Sequence, residues 1–96
     1  MTSKQRAYLR SLSNRLETIL HIGKNGLTPE FTESVSEALN TRELIKIDVL
    51  SNCSDDVKDM ANALAERTRS QLVQVIGKKV VLYRKFKENP VIELPK

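Results

Sequence analysis

Much of the equipment of enzymes and metal proteins is missing from this 96-residue chain: it has one cysteine (Cys53), one histidine (His21) and no tryptophan. A single cysteine excludes an intrachain disulfide and suits a reducing compartment. One histidine and one cysteine cannot build a four-ligand zinc site, so neither metal nor cofactor is expected. His21 has no neighbouring nucleophile in the sequence and reads as a structural or surface residue. Cys53 reads as an ordinary loop cysteine rather than a reactive thiol. Gly77-Lys78 lacks the preceding framework of a phosphate-binding P-loop. Aromatic residues are few: Tyr8, Phe31, Tyr83 and Phe86. A sheet of base-stacking aromatics is therefore excluded. Phe31 fits the core, and for Tyr8 and Tyr83 packing on the sheet is the simpler role than a contact. No apolar run approaches the ~20 residues of a membrane span. The N-terminal Met1-Thr2-Ser3-Lys4-Gln5-Arg6 has no signal-peptide apolar region. These absences lead us to expect a cytoplasmic, non-enzymatic protein with no small-molecule substrate and no membrane partner.

What the chain does have is segregated charge. Lys and Arg number 16 and Asp and Glu 12, a net charge of +4. From Arg67 to Lys87, 21 positions hold seven basic residues and no acidic one. Acidic residues gather instead at Glu30/Glu33/Glu37 and Asp55/Asp56/Asp59. Both acidic groups fall in or near expected first turns of helices, where the dipole favours them. Such a distribution suits a polyanionic partner, or a solvated surface with chance clustering.

Ile22-Gly23-Lys24-Asn25-Gly26-Leu27-Thr28-Pro29 is the most specific stretch. Thr28 is a good N-cap and Pro29 suits the first helical position. Glycines let backbone approach a ligand closely, and a helix N-terminus favours anions. GxxG loops of this kind clamp nucleic-acid backbone in KH domains. The plain alternative is a strand-to-helix turn containing two glycines.

Periodicity gives the order α-β-α-β-α-β-β. The first helix is expected from Ser3 to Arg15, with a Thr2/Gln5 capping box and a Leu9/Leu12/Leu16 stripe. A short strand follows over Glu17–Ile22. A second helix starts at Pro29, buries Phe31, Val35, Ala38 and Leu39, and ends near Thr41. A strand covers Leu44–Leu50. The third helix should be capped by Ser54, with Asp55 and Asp56 in its first turn. Its inner face is Val57, Met60, Ala61, Leu64 and Thr68. Leu72–Ile76 and Val80–Arg84 read as a hairpin around Gly77-Lys78-Lys79. Pro90 and Pro95 make the segment after Lys85 an extended tail or edge. The fold class is α/β (α+β): one compact domain over 2–87 with a tail at 88–96. Its four-stranded sheet is mixed, with at least one parallel pair, and is covered by helices.

Three features taken together resemble the CRM domain, in its single-domain bacterial, YhbY-like form. They are the basic first helix, the strand–Gly23-Lys24-Asn25-Gly26-Leu27-Thr28–helix segment, and the late Val75-Ile76-Gly77-Lys78-Lys79-Val80-Val81-Leu82-Tyr83-Arg84 hairpin. The resemblance spans roughly residues 2–86. It implies a fold similar to the C-terminal domain of translation initiation factor three. It also implies binding of ribosomal RNA in large-subunit (50S) precursors, and a part in ribosome assembly. The family's loop glycines map onto Gly23 and Gly26, its basic loop position onto Lys24, and its closing Leu-Tyr-Arg onto Leu82, Tyr83 and Arg84. Asn25 stands where relatives often carry other polar or basic residues.

With few aromatics and many cations, phosphate contacts should dominate affinity. The expected RNA-contacting residues are Gly23, Lys24, Asn25 and Gly26, extended by Lys4, Arg6 and Arg10 and by Lys78, Lys79, Arg84 and Lys85. The protein is expected to act as a monomer. The alternative is a protein-interaction module on an assembling ribosome, using the acidic second helix or the basic hairpin.

Overall fold

Thr2 caps the first helix, α1 (Ser3–Ser13), in a computed structural model that describes residues 1–53 and 55–96. The Thr2 hydroxyl accepts from the Gln5 N–H at 3.1 Å, and the Gln5 side chain accepts from the Thr2 N–H at 3.1 Å. This is the expected capping box. The helix ends two residues before Arg15. Asn14 is its C-cap, and the Arg15 and Leu16 N–H groups turn to the Leu12 and Ser13 carbonyls, three residues back. That tighter pattern takes the chain out of the α-helix.

The first strand, β1 (Leu20–Ile22), is shorter than the Glu17–Ile22 expected. Lys46 Nζ donates to the Leu16 carbonyl at 3.3 Å, holding the preceding residues as an irregular connection. Then come α2 (Pro29–Thr41), β2 (Leu44–Val49), α3 (Val57–Thr68), β3 (Gln71–Ile76) and β4 (Lys79–Tyr83). Thr28 caps α2 as expected, accepting from the Phe31 N–H. The cap expected for α3, Ser54, lies outside the described residues. Asp56 is the cap, accepting from the Asp59 N–H at 3.1 Å. Asp55 and Asp56 therefore precede the helix instead of occupying its first turn, and Asp55 is released for a contact elsewhere.

Sheet order is β1-β2-β4-β3. β1 and β2 are parallel, and the β2–β4 and β3–β4 pairs are antiparallel. Alternation along β2 and β4 feeds two cores. Ile45, Ile47, Val49, Val80 and Leu82 face α2 and α3, meeting Val35, Leu39, Met60 and Leu64. Leu44, Val81 and Tyr83, with Val73 of β3, face α1 through Leu9. The sheet thus lies between one layer of two helices and one of α1. Tyr8 is not packed on the sheet; it is 40% exposed, because adjacent helical residues point about 100° apart and Leu9 takes the inward position. Among the described residues, no helix is long and apolar enough to cross a membrane.

Residues 88–96 join no strand. Ile92 and Leu94 pack on the α1-side core. The segment is fastened by Glu43, only 3% exposed. Its carboxylate accepts from the backbone N–H groups of Phe86 at 3.0 Å and of Val91 and Ile92 at 2.6 Å each. A buried charge needs such saturation. Gln5 Nε2 adds a bond to the Pro95 carbonyl at 3.0 Å.

Tyr83 is 3% exposed, and its hydroxyl has no hydrogen-bond partner among the described residues. Burial, assisted by the Glu43 charge, raises its pKa above the usual value. A raised acid pKa means the folded protein holds the proton more tightly. The associated stability is complete below about pH 10 and is lost as pH rises through the folded value. Tyr83→Phe removes a buried polar group that has no protein partner. We expect its neutral-pH stability to be unchanged or up to about 1 kcal/mol higher, with a weaker alkaline decline, checked by urea unfolding from pH 7 to 11.

Candidate nucleic-acid interface

Where β1 ends, the chain makes a tight turn. The Gly26 N–H donates to the Gly23 carbonyl at 2.9 Å, which lifts Lys24 and Asn25 to an exposed apex. Gly26 is buried at φ +64°, a conformation that glycine adopts without steric penalty. A Cβ there would overlap Asp55 Oδ2. The Asp55 carboxylate accepts from the Leu27 N–H at 3.0 Å, so it fastens the loop to the start of α3. Gly23 is different. A Cβ there would meet Asn52 Oδ1 at 3.3 Å and Leu50 Cδ1 at 3.4 Å, and its φ is not positive. In the sequence Asp55 reads as a residue that complements a helix dipole. A contact 28 residues away leaves no local signal.

Directly after the turn, Thr28 and Pro29 open α2, so the loop adjoins a helix N-terminus with its partial positive charge. The β3–β4 turn lies at the same end of the sheet. Val49, opposite Ile22 in β1, donates its N–H to the Lys78 carbonyl at 2.7 Å. Gly77 has φ +56° at the first position of that two-residue turn, where hairpins favour glycine. Lys78 is exposed. Its neighbour Lys79 is engaged, with Nζ 3.0 Å from Asp48 Oδ1. The Lys79 hydrogen bond holds the Asp48 pKa below the usual carboxylate value, with His21 3.6 Å away on the same carboxylate.

The other expected contacts do not join this end. Arg84 follows β4 at its far end, about 17 Å along a five-residue strand. Its guanidinium donates to Ser36 Oγ, the Ser36 carbonyl, the Thr68 carbonyl and Asn40 Oδ1, at 2.8–3.1 Å. It therefore ties α2 to α3. Lys85 is exposed beside it. On α1, Lys4 and Arg10 are exposed, whereas Arg6 Nη1 donates to the Leu72 and Val73 carbonyls of β3 at 2.6 and 3.2 Å. The eleven candidate residues thus fall into three groups: the loop end with Lys78 and Lys79, the α1 layer, and the far end. Arg6 and Arg84 hold elements together. Among the described residues, no group of three His, Cys, Asp or Glu is placed to bind a metal.

The chain is similar in sequence and in fold to known proteins. The CRS1/YhbY (CRM) domain matches residues 1–84. The probable RNA-binding protein YqeI of Bacillus subtilis (strain 168) is 48% identical over 95 residues, covering 99% of both chains. An RNA-binding protein of Haemophilus influenzae is 34% identical over 96 residues, covering all of this chain and 96% of its own. The solution structure of the hypothetical protein SAV1595 from Staphylococcus aureus superposes with a TM-score of 0.84 at 49% identity, covering 99% of each chain. With this match across most of its length, the protein belongs to the CRS1/YhbY (CRM) domain family.

Proposed function

We propose that the protein binds RNA, specifically ribosomal RNA in precursors of the large (50S) subunit, and assists ribosome assembly without catalysing a reaction. One observation carries this reading: the glycine-flanked turn raises Lys24 and Asn25 beside a helix N-terminus and near Lys78. The Gly23–Gly26 backbone would press against the sugar–phosphate chain, and Lys24 and Lys78 would neutralise phosphates. Lys4 and Arg10 would extend the contact over α1. Structured RNA would be read mainly by shape and 2′-hydroxyl groups. Family membership and relatives named as RNA-binding proteins support the RNA part of the reading.

Its test is a salt titration. If about five phosphates are neutralised, log K should fall against log salt with a slope of about −3.5 to −4.5. Lys24→Ala should make the slope shallower by about 0.7–0.9 and weaken binding, with the unfolding midpoint unchanged because the lysine is exposed. A flat salt response in the wild type would contradict the proposal.

A second reading, docking of a partner protein, draws on a largely apolar cleft of about 480 Å³ lined by Leu12, Leu16, Leu44 and Ile92. RNA binding that survives a charged substitution at Leu12, while binding of a protein partner is lost, would favour it.

A further inference from the structure

The fold divides the acid-free run Arg67–Lys87 between two ends of the molecule. Lys78 and Lys79 sit at the loop end. Arg67 closes α3, Arg69 caps it, and Arg84, Lys85 and Lys87 follow β4 at the far end. Cations are therefore denser away from the GxxG loop than beside it.

At the far end, α2, the end of α3 and the chain leaving β4 enclose an open cleft of about 840 Å³. That is within the usual size of ligand sites, roughly 300–1,000 Å³. Four cations line it (Arg69, Arg84, Lys85 and Lys87), against one carboxylate, Glu88. Arg84 is bonded to both helices and makes a fixed positive floor. Arg69 sits at φ +55°, a left-handed cap position usually given to glycine. An arginine there places a cation at the cleft in a conformation that suits glycine better. Phe86 also lines the cleft, between Lys85 and Lys87, and its N–H is fixed by Glu43 at 3.0 Å. Cations and an aromatic residue lining one cleft match single-stranded nucleic acid, with phosphates on the former and a base on the latter.

We propose that this cleft is a second RNA-binding site, taking a single-stranded segment on Arg69, Lys85, Lys87 and Phe86. The domain then holds two RNA segments at once, one at each end. The proposal rests on the RNA-binding reading above. It predicts a role in bringing two strands together that a single loop site does not supply.

The test uses the full chain and a fluorescent hexauridylate. Wild type should bind two hexamers per protein and bring a donor-labelled and an acceptor-labelled hexamer into one complex. Arg69→Gly/Lys85→Ala/Lys87→Ala should bind one and lose the energy transfer, its overall salt dependence falling by about 2 if three single-strand phosphates are released. Arg69→Gly alone should fold at least as stably as wild type while weakening the second site, which a purely helix-capping arginine would not do. Lys24→Ala should weaken only the other site. Unchanged stoichiometry in the triple variant, or one hexamer on the wild type that the triple variant holds equally well, would overturn the second site and leave the loop reading standing. Uridine monophosphate binding as tightly as the hexamer would make a free nucleotide the ligand and overturn strand bridging. No hexamer bound by wild type, with rRNA fragments also ignored, would overturn both readings together.

Discussion

Gly26→Ala is expected to weaken RNA binding about tenfold or more and to lower stability by about 1–2 kcal/mol. Two causes act together. An alanine at φ +64° is strained by about 1 kcal/mol. Its methyl group also occupies space held by the Asp55 carboxylate, which must swing away and release the Leu27 N–H. Asp55 is exposed, so its movement is cheap in itself; the lost hydrogen bond and the loosened loop are the larger effects. Adding Asp55→Ala separates these causes. In the Gly26→Ala background the second change should cost less than it does in wild type, because the contact is already broken. The check is a double-mutant cycle by urea unfolding, read beside RNA affinity at one salt concentration. Full additivity would show that the carboxylate does not meet the new methyl group.

Glu43→Ala should produce the largest loss of stability among single changes outside the hydrophobic core, about 2–3 kcal/mol, or roughly 10–20 °C in Tm. Three backbone N–H groups lose their acceptor at once. Val91 is 77% exposed, so its end of the segment can be rehydrated, which keeps the penalty below that of three orphaned buried donors. Amide exchange should quicken at Phe86, Val91 and Ile92, and Ile92 and Leu94 should leave the α1-side core. Glu43→Gln should keep part of the effect, since its amide oxygen accepts hydrogen bonds without the charge. RNA binding at the loop end should be unaffected, because that end lies at the opposite end of β2 from Glu43. A stable Glu43→Ala protein with unchanged exchange would mean that the C-terminal segment is held by its apolar contacts alone.

Local patterns carried the fold well. The Thr2/Gln5 box, the Thr28-Pro29 start and the alternation in Ile45–Val49 each describe neighbours in sequence, and each element formed where its neighbours required. Boundaries slipped where a distant group intervened. Lys46 reaches Leu16, and the start of β1 moves to Leu20. The side chains that matter most for assembly were illegible for the same reason. Glu43 bonds to residues 43 to 49 positions later, and Arg84 bonds to residues 16 to 48 positions earlier. In the sequence Arg84 looks like one more member of a basic run; in the fold its guanidinium makes four hydrogen bonds to α2 and α3. The loop was legible as a motif, but the unequal demands of its glycines were not. Gly26 is required by conformation and by Asp55, whereas Gly23 can accept a small side chain with a slight shift of its neighbours.

That inequality selects the decisive experiment. A combined change at both glycines would confuse folding with binding, whereas Gly23→Ala should need only a slight shift of Asn52 and Leu50 beside the turn. The measurement is binding of wild type and Gly23→Ala to large-subunit and small-subunit rRNA fragments across a salt series, with circular dichroism of both proteins. Binding should depend on salt, favour large-subunit RNA and be clearly weakened in a fully folded Gly23→Ala protein. Equal affinity of the two proteins for every fragment would contradict a grip by the Gly23–Gly26 loop.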